Sequence, residues 1–438
     1  MGNGLIHPAS RMNSQSKVWR VFQVAAGNFL EMYDFMVFGY YAAAIGRAFF
    51  PGDSDFASLM KSLMTFGAGY LMRPLGAIVL GSYIDHHGRR KGLLLTLGLM
   101  ALGTLSIACV PGYSTIGLMA PILVLLGRLV QGLSAGVELG GVSVYLSEIA
   151  TPGNKGFYVA WQSASQQVSV MLAAVVGLIL NLKFTPDEMA RFGWRIPLLI
   201  GCAILPFLFG LRRSLQETEE FEARRHRPGP REIVRSLFRN WRLVVPGTML
   251  VTLTTVGFYL ITAYTPTFGA ATLKLPSTSV QTVLLCVGAS NLFWLPIMGA
   301  LSDRIGRRPV LITAAGLILL TAYPAMRWLA SAPSFARLLE TELFISFLYS
   351  GYNGAMVVYL VEIMPPDVRT TGFSVAYSLA TAIFGGFTPA ICTYLIETTG
   401  NKAVPGLWLS FAAVMSLTAI LMLRNEAENP QSRGMLRW

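Results

Sequence analysis

The sequence predicts an all-α integral membrane protein of twelve transmembrane helices in two related six-helix halves, with both termini cytoplasmic. Three observations carry this reading. Of 438 residues, 53% are apolar, only 13% are charged and 43 are glycine, with a mean hydropathy of +0.55, a balance outside the range of soluble domains. Apolar stretches of about 20 residues, the length a helix needs to cross hydrocarbon, recur twelve times. A charged turn occurs twice, since Gly81-Ser-Tyr-Ile-Asp85-His-His-Gly88-Arg89-Arg90-Lys91 returns as Gly299-Ala-Leu-Ser-Asp303-Arg-Ile-Gly306-Arg307-Arg308-Pro309. Tyr145-Leu-Ser-Glu148-Ile-Ala-Thr-Pro152 returns as Tyr359-Leu-Val-Glu362-Ile-Met-Pro-Pro366 at nearly the same offset. Two markers sharing one offset mean parallel repeats, a construction used by alternating-access transporters.

The predicted spans are 18–49, 56–84, 92–111, 115–149, 155–184, 193–212, 242–271, 277–304, 309–329, 334–364, 369–397 and 403–424. They form an N-terminal bundle, 18–212, and a C-terminal bundle, 242–424. Residues 1–17 and 425–438 read as cytoplasmic tails, and Met1 to Ser16 lack the apolar core of a secretory signal. The second span breaks at Arg73-Pro74, where proline removes a backbone donor. In the fourth, Gly132-x-x-x-Gly136-x-x-x-Gly140 clears one helix face for close contact. With both termini inside, most of the 34 basic residues fall on the cytoplasmic side. That bias accounts for the net charge of +12 without nucleic acid as a partner.

The connector, 213–241, is divided by Pro228-Gly229-Pro230. Beyond it Ile233, Val234, Leu237, Phe238 and Trp241 alternate at helical spacing with Arg231, Arg235, Arg239 and Arg242, the pattern of a basic amphipathic helix on the inner bilayer surface. Cys109, Cys202, Cys286 and Cys392 lie singly within spans, read as small core residues rather than metal ligands.

Chemistry is expected where charge enters hydrocarbon, because a buried ionisable group there must pair or face water. Glu31 and Asp34 lie at i and i+3 on one face of the first span with Asn28 and Phe35, ~17–21 Å from its cytoplasmic start. Arg73 reaches similar depth in the second span, and Arg128 is midway along the fourth. Two carboxylates and two guanidinium groups therefore share the midplane. They suit a pocket in which Arg128 and Arg73 grip an anion and Asp34 or Glu31 carries a proton. The competing reading is that each Arg only neutralises a neighbouring carboxylate. Glu138, about 15 Å nearer the cytoplasm than Arg128, belongs to an inner gate.

Polar side chains add a lining: Gln162, Ser163 and Gln166 on the fifth span, Thr255, Tyr259 and Thr262 on the seventh, Asn291 on the eighth, and Tyr349, Tyr352 and Asn353 on the tenth. They supply donors for carboxylate and hydroxyl oxygens. Gln162, Gln166, Tyr349, Tyr352 and Asn353 are the candidate substrate contacts among them, with Asn28. In the repeated turns Gly88 and Gly306 let the chain reverse. Asp85 and Asp303 can pair with Arg89 and Arg307 and cover donors at the next helix start. With Glu148 and Glu362 nearby, these clusters read as a two-state gate as well as a topology anchor.

The doubled Gly-x-x-x-Asp-x-x-Gly-Arg-Arg turn resembles the signature of the major facilitator superfamily. Gly27-Asn28-Phe29-Leu30-Glu31-Met32-Tyr33-Asp34-Phe35, Arg73-Pro74-Leu75-Gly76 and Gly127-Arg128-Leu129-Val130-Gln131-Gly132, with Gly136 and Glu138, are similar to its metabolite:proton symporter branch. The run from Val137 to Phe157, Trp161-Gln-Ser-Ala-Ser-Gln-Gln167, Ser214-Leu-Gln-Glu-Thr-Glu219 and Ala380-Thr-Ala-Ile-Phe-Gly-Gly386 look like the citrate and tricarballylate proton symporters. The resemblance implies bacterial inner-membrane uptake of a tricarboxylate with protons. Only Arg424 to Trp438 follow the last span, without the long coiled-coil tail of osmosensing relatives.

The expected function is therefore proton-coupled import of a small organic anion by alternating access. The gradient is the driving force, no cofactor or metal is expected, and the bilayer is the surrounding partner of a monomer. No nucleotide loop, metal-ligand cluster or activated nucleophile argues for an enzyme. Uptake of 2-oxoglutarate, shikimate or betaine, a passive facilitator and a transporter-like sensor are the rival readings.

Overall fold

The computed structural model describes residues 17–136, 138–213, 229–365 and 369–428, all helix and connecting turn with no strand among them. The N-terminal half contains α1 (Lys17–Tyr40), α2 (Ala42–Phe49), α3 (Asp55–Leu71), α4 (Arg73–His87), α5 (Arg89–Cys109), α6 (Met119–Ala135), α7 (Glu138–Ile149), α8 (Lys155–Lys183) and α9 (Arg195–Arg213). The C-terminal half contains α10 (Pro230–Arg239), α11 (Trp241–Tyr259), α12 (Ser277–Ile305), α13 (Arg307–Ser331), α14 (Phe335–Ile363), α15 (Arg369–Ala380), α16 (Thr388–Thr399) and α17 (Val404–Glu428). Among the described residues, ten helices are long and apolar enough to cross a membrane, and Leu94–Cys109 is a shorter apolar helix. The protein is a multi-pass membrane protein. The helix α1 falls outside the ten because Gln23, Asn28, Glu31 and Asp34 dilute its apolar residues.

Chain breaks fall where local chemistry demands them. The helices α3 and α4 part at Met72, with Pro74 in the first turn of α4, as the sequence predicts for Arg73-Pro74. The seventh span continues from α11 through π-helical turns at Leu260–Tyr264 and Thr267–Thr272, on either side of Pro266. A third π-helical turn, Thr381–Gly385, joins α15 to α16. Such wide turns leave backbone groups free to re-pair and recur at functional positions in helices. The repeated charged turns match in backbone as well as sequence: Gly88 has φ 101° and ψ 150°, and Gly306 has φ 96° and ψ 154°. Only glycine enters that region without strain.

The glycine stripe of the fourth span brings backbones into contact. A Cβ at Gly132 would lie 1.6 Å from the Gly69 carbonyl oxygen, and one at Gly136 would lie 2.1 Å from that of Arg73. No side chain fits either place, so α6 is held directly against α3 and α4. Between the halves, α8 packs on α12 and α14, α4 on α15, and α1 on the π-helical turn after α11. Other residues of the two halves also meet so closely that a single added carbon would collide, as at Gly140 with Ser374 and Gly67 with the Phe387 ring, and within the α8–α12 contact the same holds for Gly156 with the Gly299 carbonyl.

The connector helix α10 seats Ile233 in the interior and exposes Arg231, Arg235 and Arg239. Leu237 packs with Ala77, Val244 and Val375, while Phe238 is 73% and Trp241 55% exposed, the arrangement of an interfacial helix. The remainder of the connector and both tails lie outside the described residues. Cys392 is buried and Cys202 and Cys286 are half-buried, whereas Cys109 is exposed at the end of α5.

Candidate functional site

The four deep charges expected from the sequence converge in a sealed centre. Glu31, Asp34, Arg73 and Arg128 are each no more than 2% exposed. Arg73 Nη2 donates to Glu31 Oε1 at 2.7 Å, a buried ion pair between α4 and α1. Arg128 reaches its acid less directly. Its Nη1 donates to Gln131 Oε1 at 2.8 Å, Gln131 Nε2 donates to Thr104 Oγ1 at 2.8 Å, and Thr104 Oγ1 donates to Asp34 Oδ2. Helical spacing sets Gln131 one turn beyond Arg128, so both project from the same face of α6.

Aromatic rings hold both guanidinium groups. Arg128 Cζ lies 4.3 Å from the Phe35 ring centre, 4.6 Å from Phe38 and 5.3 Å from Phe66. Arg73 Cζ lies 4.9 Å from Phe35 and 4.7 Å from Tyr70. Phe35 thus touches both cations, which keeps two like charges close without direct contact and offers each a ring face. From the other half, Tyr259 packs edge-on against Tyr70 at 5.1 Å and Phe66 at 6.1 Å. Tyr259 and Tyr377 are also within electrostatic reach of Arg73.

Several buried polar atoms remain unspent: among the described residues Arg73 Nε, Arg128 Nε, Gln162 Nε2, Gln166 Nε2, Asn353 Oδ1 and Asp34 Oδ1 make no hydrogen bond. Four of these six are donors, which suits the oxygens of an anion. The carboxylate of Asp34 faces Gly201 of α9, where a Cβ would come within 2.7 Å of Oδ1. Space beside that oxygen therefore depends on glycine.

The structure separates the other candidates. Asn353 Nδ2 donates to the Tyr349 hydroxyl at 3.1 Å, giving one polar unit on α14. Tyr352 is committed elsewhere, donating to the Leu250 carbonyl at 2.7 Å and tying α14 to α11. Asn291 Nδ2 donates to Gln167 Oε1 at 3.2 Å, while Asn291 Oδ1 accepts from Ser346 at 2.7 Å and Ser350 at 2.9 Å. That network joins the halves and leaves Asn291 little capacity for substrate. Asn28 lies on α1, Asp85 on α4, Arg89 at the start of α5 and Glu138 at the start of α7, but their side chains fall outside the described residues. Glu148 is exposed on α7.

The second charged turn forms a cluster of ion pairs, with one correction to its expected partner. Asp303 bonds Arg307 at 2.7 Å, and Arg307 bonds Glu362 at 3.2 Å. The donors Asp303 covers are not those of the next helix. Its two oxygens accept from the backbone N–H of Gly156 at 2.8 Å and Phe157 at 3.0 Å, in the first turn of α8. The cap crosses from one half to the other because Gly156 and Gly299 allow the backbones to touch beside it. A carboxylate at a helix start gains from both the unpaired N–H groups and the helix dipole.

Sequence reading missed Thr104 as the link between the acid and Arg128. One signal was available, a hydroxyl among the apolar residues of the third span, though Thr96 and Ser106 of the same span offered it equally. It also treated Gln131 only as part of a motif, although its place three residues after Arg128 puts it beside that cation.

A family profile described as Major Facilitator Superfamily matches residues 24–389 and 270–435. The citrate-proton symporter of Salmonella typhi is 59% identical over 403 residues, covering 92% of this chain and 93% of that protein. The citrate-proton symporter of Klebsiella pneumoniae is 57% identical over 408 residues, covering 93% and 92%. Among solved structures, the partially occluded inward-open xylose transporter XylE from E. coli aligns with a TM-score of 0.74 at 17% identity, over 92% of this chain and 96% of that one. At that identity the likeness speaks to the fold alone.

Proposed function

The chain belongs to the major facilitator superfamily, and from that premise we propose that it imports citrate together with protons by alternating access. It is a transporter and not an enzyme. Its two six-helix halves comprise twelve membrane helices, with both termini cytoplasmic and one chain sufficient for transport in a bacterial inner membrane. The observation that carries the substrate class is the pair of buried guanidinium groups at the meeting of the halves, each with an unspent N–H donor. The two relatives above half identity over nearly the whole chain, both named citrate-proton symporters, support citrate within that class.

Charge balance supplies the need for protons. Two arginines against two carboxylates leave the site neutral, so a tricarboxylate would bring uncompensated negative charge into a buried place. Each net charge crossing the membrane is worth ~2.3 kcal/mol per 100 mV, and the inside-negative potential opposes an anion. Protons carried along offset both terms. Asp34 is the better proton carrier of the two acids. Glu31 is already paired with a cation, whereas among the described residues Asp34 accepts only from the neutral Thr104 hydroxyl and keeps Oδ1 open.

In the cycle, protonation of Asp34 relaxes the Thr104–Gln131 chain and frees the N–H edge of Arg128 for a carboxylate. Arg73, Gln162, Gln166 and the Tyr349–Asn353 pair close on the remaining oxygens. Neutralisation permits the halves to rock; release inward restores the chain. The Asp303–Arg307–Glu362 cluster holds the inner face shut while the outer face is open. Asp303→Asn should therefore slow uptake about tenfold, through loss of one charge-assisted cap worth ~1–2 kcal/mol. Citrate affinity should stay within about threefold, since the cap lies outside the binding centre. Initial rates and calorimetric binding check the two numbers.

The decisive experiment is uptake of labelled citrate into proteoliposomes under an inward proton gradient, with tricarballylate, 2-oxoglutarate, shikimate and betaine as competitors. Accumulation that a protonophore collapses, competed by tricarballylate, is the expected result. Absence of citrate uptake would overturn the substrate, and uptake that only equilibrates would mark a passive facilitator.

A further inference from the structure

A second buried carboxylate lies outside the central site. Glu342, on α14, is 6% exposed and seven residues in from the outer end of its helix, ~10 Å at helical rise. Its Oε1 accepts from the Thr265 hydroxyl at 2.9 Å, and its Oε2 has no partner among the described residues. Among the described residues the Thr265 hydroxyl is its one hydrogen-bond partner and no ion pair reaches it. An ionised carboxylate so placed, without a cation, costs several kcal/mol, and such a group takes a proton instead.

Thr265 occupies a particular place. It lies between the two π-helical turns of the seventh span, Leu260–Tyr264 and Thr267–Thr272, and directly precedes Pro266. Two residues earlier, Ala263 closes against Gly39 of α1, where an added Cβ would come within 3.1 Å. On the same side of the molecule Gly177 of α8 closes on Gln281 of α12. Glu342 is thus joined by one hydrogen bond to the segment of the C-terminal half that seals the outer face against the N-terminal half. Were that face to open, the seventh span would have to move and water would reach the carboxylate.

We infer that Glu342 is a proton switch of the outer gate, neutral while the outer face is closed and ionised once that face opens. The proton comes from the outer solution on closure and returns to it on reopening. It therefore biases the gate without adding to the number of protons carried per substrate. External acid favours closure around a loaded site, which is the direction an importer needs. The inference adds to the transport cycle proposed above, but its test reads gate position and requires no substrate.

The test uses the full-length protein in proteoliposomes, with the four native cysteines replaced and Gln281→Cys as reporter. Gln281 is 4% exposed in the closed arrangement. Labelling by an external, membrane-impermeant maleimide is divided by the rate of a free thiol at the same pH. With Glu342 present, corrected labelling should fall as external pH falls, by at most about tenfold per pH unit for one linked proton. Glu342→Gln keeps the size and the Thr265 bond while remaining neutral, so its labelling should be low and flat across pH. A pH profile in Glu342→Gln matching that of the parent would overturn the proposal. Should Glu342→Gln fail to fold, Thr265→Val decides: loss of the single hydrogen bond should shift the midpoint of the profile, and an unmoved midpoint overturns the proposal.

Discussion

Arg128→Lys should lower citrate uptake by about two orders of magnitude, and Arg128→Ala should abolish it. The guanidinium is held flat among Phe35, Phe38 and Phe66 and anchored by Gln131 at 2.8 Å. Lysine keeps the charge but loses the plane, the ring contacts and the capacity to hold two oxygens at once. Truncating one partner of a buried charge pair costs ~2–5 kcal/mol, which at ~1.4 kcal/mol per decade is a loss of about thirtyfold or more. Calorimetric binding should weaken in step with uptake, because the contact exists with substrate bound. Uptake within about threefold of the parent would remove Arg128 from the binding site.

Asp34→Asn should separate transport from its driving force. Asparagine retains an oxygen for the Thr104 hydroxyl and nearly the same volume, yet it cannot release a proton. A carrier fixed in the neutral form can still exchange labelled for unlabelled citrate across the membrane, because both legs of exchange run loaded. It cannot return empty with its acid discharged. Counterflow should persist within about threefold, while accumulation under a proton gradient falls to an inside-to-outside ratio of about one. Glu31→Gln should behave differently, since it strands the buried Arg73 guanidinium without its 2.7 Å partner. Loss of that partner costs ~3–5 kcal/mol, seen as lowered thermal stability together with lost binding. If Glu31→Gln exchanged without accumulating and Asp34→Asn accumulated normally, the proton would belong to Glu31.

Much of the architecture was legible because a membrane leaves few options. Hydrocarbon selects long apolar helices, and the twin turns around Gly88 and Gly306 announced the repeat that the shared backbone conformation then displayed. The charged centre was legible for the same reason: Glu31, Asp34, Arg73 and Arg128 stand out against an apolar background. Helical spacing placed Glu31 and Asp34 on one face, but it could not say which arginine each would meet. That choice depends on contacts between α1, α4, α5 and α6, which are distant in sequence. Thr104 escaped because threonine is ordinary within a membrane helix, and Tyr352 was read as a binding group because its use by the Leu250 carbonyl is a tertiary fact. The reach of Asp303 to α8 escaped for a similar reason, since capping rules describe the nearest helix start and this one lies in the other half.

The two ends of the molecule are closed by different forces. At the inner face the contacts include the Arg307–Glu362 pair, whose side chains are 15% and 35% exposed; at the outer face Gly39 meets Ala263, and nearer the centre Gly67 meets the Phe387 ring. Mobile ions screen charges open to water over ~8 Å at physiological ionic strength, and they leave dry apolar contacts nearly untouched. Concentrated salt inside a vesicle should therefore loosen one door and not the other. Turnover should respond asymmetrically to electrolyte, accelerating or slowing with the lumenal solution according to whether inward opening limits the cycle, and remaining indifferent to the same change made outside.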